Sequence, residues 1–133
     1  MKIVDVKTIP LGGATHDHGW PGGTEPNVQY NTLLEVISED GLVGLGSCYT
    51  TRTLVEGSLQ LLKEHLLGES ALEPERVSEK LRQSMFWLGR PGSVEHTISG
   101  IDIALWDIVG KVLNVPVCKQ LGGQMRDRIP VYA

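Results

Sequence analysis

Two stretches of the sequence carry the side chains best suited to act on a ligand. The first is Thr15-His16-Asp17-His18-Gly19-Trp20, two imidazoles flanking a carboxylate beside an indole. His16 and His18 can donate or accept hydrogen bonds near neutral pH, and Trp20 offers an apolar plate that excludes water. The His-x-His spacing could also begin a metal site, but it has neither further ligands nor a second shell in the sequence around it. The competing reading is a surface loop whose histidines are solvated. The second stretch runs from Ser47 to Arg52. Tyr49 can pack or hydrogen-bond there, and the planar fork of Arg52 matches a carboxylate. Against this stands a structural reading in which Thr50, Thr51 and Thr53 cap a helix and Arg52 faces water.

Other polar residues point to structure. Asp102 and Asp107 are five positions apart, about 140° around a helix, so they do not share a face as a metal pair would. Hydrogen bonds or ion pairs to backbone and basic groups are expected of them. Trp87, Arg90 and Trp106 read as core or interface, and nothing local makes Lys111 or Lys119 catalytic. Cys48 and Cys118 have no zinc-type spacing and read as reduced, mostly buried thiols of a cytoplasmic protein. Met1 to Lys7 alternates charged and apolar residues, unlike a signal peptide, and no apolar run is long enough to span a membrane. The net charge of −4 argues against a nucleic-acid or polybasic membrane surface.

The elements that must carry these residues change period near residue 50. Lys2 to Pro10 alternates as a strand, with Val4, Val6 and Thr8 on one face. Leu11 to Val28 has no periodicity and is rich in proline and glycine, the mark of a long functional or disordered loop. Its Trp and His argue against pure disorder. Tyr30 to Ser38 and Leu42 to Cys48 read as strands joined by a Glu39-Asp40-Gly41 turn. Gly44 and Gly46 weaken the second of these and suggest a close backbone approach. Thr53-Leu54-Val55-Glu56 has capping-box form, and Val55, Leu59, Leu62 and Leu66 share one helical face. Pro74 opens a second helix with Val77, Leu81, Met85 and Leu88 on one face, closed by Gly89. A third helix spans about Ser93 to Leu113, and a short fourth turn runs from Pro116 to Gly122-Gly123. The third helix is apolar nearly all the way round, so it must be covered on several sides. Its Gly100 and Gly110 imply close backbone packing. The fold class is α+β: a three-stranded antiparallel sheet followed by a helical bundle.

Gly100-Ile101-Asp102, Ala104-Leu105-Trp106-Asp107 and Gly110-Lys111 together resemble the G-I-D-x-A-L-W-D-x-x-G-K helix of the enolase superfamily, most of all its mandelate racemase subgroup. The likeness continues through Pro116-Val117, Leu121-Gly122-Gly123 and Arg126-Asp127 into Ile129 to Tyr132. Upstream, Asp40-Gly41-Leu42-Val43-Gly44-Leu45-Gly46 is similar to that family's D-G-x-x-G-x-G hairpin. The family often has Glu after the last hairpin glycine, where this sequence has Ser47.

The resemblance implies the N-terminal capping domain of a two-part enzyme, spanning residues 1–123. Residues 124–133 would then be a linker and the presumed first strand of a (β/α) barrel. Such a barrel takes roughly 250 residues, so this chain would be about a third of the whole. In these enzymes the barrel supplies three carboxylates to Mg²⁺ and a Lys or His base that removes a proton next to a carboxylate, the metal stabilising the enediolate. No catalytic residue and no metal ligand is therefore expected in this chain. The resemblance places the loop with His16, His18 and Trp20, and the segment with Tyr49 and Arg52, over the active site as substrate-binding elements. A polar, His-bearing first loop suits a hydroxylated substrate. The implied activity is Mg²⁺-dependent dehydration of a sugar acid, with racemase or cycloisomerase as the alternative, in a homo-oligomer. A non-catalytic fragment or association module, burying its apolar helix against another chain, is the reading from a different class.

Overall fold

A computed structural model describes residues 1–14, 28–88 and 92–131. The described residues form β1 (Ile3–Ala14), β2 (Val28–Ser38), β3 (Val43–Cys48), α1 (Arg52–Leu66), α2 (Pro74–Ser84), α3 (Ser93–Leu113) and α4 (Val117–Gln120). The strands make one antiparallel sheet in the order β1-β2-β3. The helices cover one face of it, as expected of an α+β chain whose period changes from 2 to 3.6.

The turn between β2 and β3 forms at Gly41, whose φ of 79° is open to glycine at no steric cost. Its amide donates to the Ser38 carbonyl at 2.9 Å, and the Ser38 hydroxyl accepts from the Leu42 amide at 3.1 Å. The arms of the first hairpin are longer than the sequence pattern suggests. β1 continues past Pro10 to Ala14, and β2 begins at Val28, paired with Ala14. Glycine-rich ends lack apolar alternation but can still pair. The alternation in β1 is also broken. The register shifts between Ile3 and Asp5, so Ile3 and Val6 are both buried while Val4 is exposed. A bulge adds one residue and exchanges the faces, which simple alternation misses.

The helices supply most of the core. Val55, Leu59, Leu62 and Leu66 of α1 are buried, as are Val77 and Leu81 of α2 and Ile98, Ile101, Leu105 and Ile108 of α3. Leu34, Val36 and Cys48 meet them from the sheet. Pro74 occupies the first turn of α2, where its missing N–H costs nothing. This helix ends at Ser84, so Leu88 lies beyond it and is exposed; Gly89 lies outside the described residues. The capping box expected at Thr53 and Glu56 is absent. Helix α1 starts two residues earlier, with Thr51 at its N-cap and no side-chain cap bond, and Glu56 turns to other partners.

Close contact of α3 with β3 decides the packing. A Cβ on Gly44 would collide with the Ala104 carbonyl, and one on Gly46 with the Gly100 carbonyl. In return, a Cβ on Gly100 would lie 2.5 Å from the Cys48 thiol and 2.8 Å from Leu34 Cδ1. Three glycines thus let a helix lie directly on a strand. Cys48 is sealed in this seam, donating its thiol proton to the His96 carbonyl at 3.1 Å. Burial pushes that thiol up to about 11. Cys118, by contrast, is exposed, because α4 has no buried face.

Candidate functional site

The sheet positions the candidate residues through its register. β1 runs toward Ala14, β2 returns from Val28, and β3 runs parallel to β1 and ends at Cys48, opposite Thr32. Thr32 also pairs with Pro10. The tip of the first hairpin and the β3–α1 connection therefore leave the same end of the sheet. The tip extends four residues further along β1, about 14 Å at strand rise.

Tyr49 sits on the β3–α1 connection and is 66% exposed. The backbone beside it is fixed. The Thr32 hydroxyl donates to the Thr50 carbonyl at 2.9 Å, and the Thr50 amide donates to the Cys48 carbonyl at 2.8 Å. Arg52 opens α1 and donates its Nε–H to Glu56 Oε1 at 2.6 Å. The same carboxylate oxygen accepts from the Thr8 hydroxyl at 2.9 Å. Arg52 first and Thr8 second hold the Glu56 carboxyl below its usual range. Thr8, Arg52 and Glu56 line a groove of about 520 Å³ between β1 and α1, together with Lys7, Gln60 and Lys63. Arg52 therefore does face solvent, but tethered to the sheet through Glu56. His16, His18 and Trp20 lie outside the described residues, as does Arg90.

The opposite side of the domain holds a larger groove, about 1060 Å³, floored by Leu45, Ile103, Trp106, Val117 and Leu121. Glu75, Glu79, Asp102 and Asp107 stand on its wall, and the two aspartates are engaged in hydrogen bonds. Asp102 accepts the Ser78 hydroxyl at 2.6 Å. Asp107 accepts the Leu45 amide at 2.8 Å and the Lys111 ammonium at 2.7 Å, while Lys111 also donates to the Val43 carbonyl at 2.7 Å. Asp107 and Lys111 so satisfy the outward N–H and C=O of β3, an edge strand that would otherwise offer them to another chain. The i,i+4 spacing of this pair is visible in the sequence, but its target on β3 is not. Trp87 does not join the core. It is 89% exposed and stands edge-on to Phe86, with ring centroids 4.9 Å apart.

Divalent magnesium asks for a near-octahedral oxygen set. Among the described residues no group of three or more His, Cys, Asp or Glu side chains is placed to hold a metal ion. With Asp102 and Asp107 committed to structural bonds, the described residues do not fit such an ion. Nor is any helix among them long and apolar enough to cross a membrane.

Comparison with known proteins places this arrangement. The family model of the mandelate racemase / muconate lactonizing enzyme N-terminal domain matches residues 23–122. A D-xylonate dehydratase from Haloferax volcanii is 39% identical over 134 residues, covering 98% of this chain and 28% of that protein. A solved enolase-superfamily member from Polaromonas sp. JS666 superposes with a TM-score of 0.85 at 28% identity, covering 100% of this chain and 36% of that one. The 3,6-anhydro-D-galactonate cycloisomerase of Zobellia galactanivorans superposes with a TM-score of 0.77 at 26% identity, covering 92% of this chain and 32% of that one. The chain spans little more than a quarter of the length of the curated relatives it matches.

Proposed function

Because the chain belongs to the mandelate racemase / muconate lactonizing enzyme N-terminal domain family, we propose that it is the capping domain of an enzyme that removes a proton α to a carboxylate. The substrate in this reading is a sugar acid, and the outcome is loss of water. The likeness to a D-xylonate dehydratase supports the substrate class. The observation that carries the reading is the division of polar groups between the two ends of the domain. On the helical side Asp102 and Asp107 are engaged in structural bonds. At the end of the sheet Tyr49 stands exposed, and the half-exposed Arg52 lines a groove. A domain built this way can read a ligand without doing its chemistry.

In this proposal residues 1–123 form the cap and residues 124–133 lead into the barrel. Gln124 to Val131 form neither helix nor strand, and Met125, Ile129 and Val131 are exposed, consistent with a segment that needs a partner sheet. The barrel holds Mg²⁺ and the base. Tyr49 and Arg52 bind substrate, with His16, His18 and Trp20 as further contacts. The parent is a cytoplasmic homo-oligomer, a location that suits two unpaired cysteines.

The test is β-elimination across a panel of sugar acids by the full-length protein. Formation of a 2-keto-3-deoxy acid supports the proposal, and turnover only as a racemase contradicts it. A cycloisomerase is the second reading, favoured by the likeness to the Zobellia enzyme. A third reading, of an association module, is favoured by the apolar groove around Trp106. It predicts that the 133-residue chain self-associates; a clean monomer at high concentration in sedimentation contradicts it.

A further inference from the structure

Arginine has many rotamers, and an exposed ion pair on a single helix does little to select among them. Arg52 and Glu56 at i,i+4 would be such a pair if nothing else held the carboxylate. Here the same Glu56 oxygen that takes the Arg52 Nε–H at 2.6 Å also takes the hydroxyl of Thr8, 48 residues earlier on β1. The carboxylate is thus tied to the sheet, and the guanidinium is tied to the carboxylate. Only Nε of Arg52 is used among the described residues, so both terminal nitrogens keep their donors for a ligand. The groove beside them is lined by Lys7, Arg52, Lys63 and Glu56; Arg52 pairs with Glu56 and Lys63 with Asp5 at 3.4 Å, which leaves Lys7 as a local positive excess in a chain of net charge −4. That local excess favours an anion.

Resting on the reading of Arg52 as a substrate contact, we infer that Thr8 and Glu56 are positioning residues that hold the Arg52 fork in the β1–α1 groove, toward the end of the acid remote from the barrel: its distal hydroxyls or, in a diacid, its second carboxylate. Neither touches the ligand in this account. They reduce the freedom that Arg52 must lose on binding, so their removal weakens binding and leaves the chemical step alone.

The experiment uses the full-length protein and four variants, Arg52→Ala, Glu56→Ala, Thr8→Val and Thr8→Ser. The first readout is solvent-exchange protection of the Arg52 Nε–H by NMR, which needs no activity. The inference expects protection in the wild type and Thr8→Ser, and at least about tenfold less in Thr8→Val and Glu56→Ala; unchanged protection in those two overturns it. The second readout is KM against kcat for D-xylonate and a sugar-acid panel. Losing a charge-assisted contact should raise KM about tenfold in Arg52→Ala, most of all for diacids in the panel. Thr8→Val and Glu56→Ala should raise it about three- to tenfold at near-constant kcat, with Thr8→Ser close to wild type. A raised KM in Arg52→Ala with wild-type KM in Thr8→Val and Glu56→Ala overturns the inference and leaves the substrate reading standing. A wild-type KM in Arg52→Ala overturns both. Absence of turnover with every acid defeats the dehydratase reading, and the NMR readout then decides the inference alone.

Discussion

The seam between α3 and β3 and the open end near Arg52 solve opposite problems. At the seam, glycines remove side chains so that backbone meets backbone, and a thiol is buried where its ionisation is disfavoured. At the open end, side chains are long, charged and exposed, and their order comes from a chain of hydrogen bonds across elements. The first arrangement sustains the fold at high cost to any substitution. The second tolerates substitution with little effect on the fold and leaves donors for a ligand. In the proposed reading, stability and recognition fall to different parts of one small domain.

Substitutions should therefore separate the two regions by size of effect on stability. Gly46→Ala forces a methyl group into a backbone carbonyl that cannot swing aside. Overpacking of this kind costs about 1–3 kcal/mol and sometimes more, and a denaturant melt should place Gly46→Ala at or above the top of that range. Asp107→Ala leaves the Leu45 amide without its acceptor and Lys111 without its counter-ion; because both are solvent-accessible, the expected loss is about 0.5–1.5 kcal/mol in the same melt. Arg52→Ala removes an exposed i,i+4 pair and should cost no more than about 0.5 kcal/mol. If Arg52→Ala proves as damaging as Gly46→Ala, the contrast collapses.

Titration sharpens the comparison further. Lys80 and then Arg76 hold the Glu69 carboxyl below its usual range, through bonds of 2.6 and 2.7 Å. A depressed carboxylate adds stability that is complete above its unfolded value, about 4.3, and is lost as pH falls through the folded value. Stability should therefore decline below about pH 4.3, and Glu69→Gln should flatten that acid limb. At pH 7 a thiol reagent should modify the exposed Cys118 readily, while Cys48, raised to about 11 in the seam, reacts only on unfolding. The smallest effect belongs to Thr51→Ala. An N-cap threonine ordinarily contributes about 1 kcal/mol, but Thr51 makes no side-chain cap bond, so its loss should be near the error of the measurement.

Much of the seam was legible in the sequence and little of the open end was. Gly44, Gly46 and Gly100 interrupt strand and helix where propensity disfavours them, which itself signals close approach. The face from Val55 to Leu66 follows from periodicity, and the Gly41 turn from local sequence. The bulge after Ile3 was not legible, since one extra residue leaves composition unchanged. By local spacing Glu56 fits half of a capping box, which the structure does not form. Its real partner, Thr8, lies across the fold. Asp107 was rightly expected to be structural, yet its grip on the edge of β3 depends on tertiary placement. Of the candidate contacts, Tyr49 and Arg52 are brought to one end of the sheet, whereas His16, His18 and Trp20 lie outside the described residues.

The central claim is that this chain reads a substrate and does not carry the chemistry. Exchange of the α-proton of sugar acids into deuterated water, followed by NMR with and without Mg²⁺, tests it directly. The account predicts Mg²⁺-dependent exchange or elimination with the full-length protein and none with the 133-residue chain alone. Mg²⁺-dependent exchange by the chain alone would contradict it.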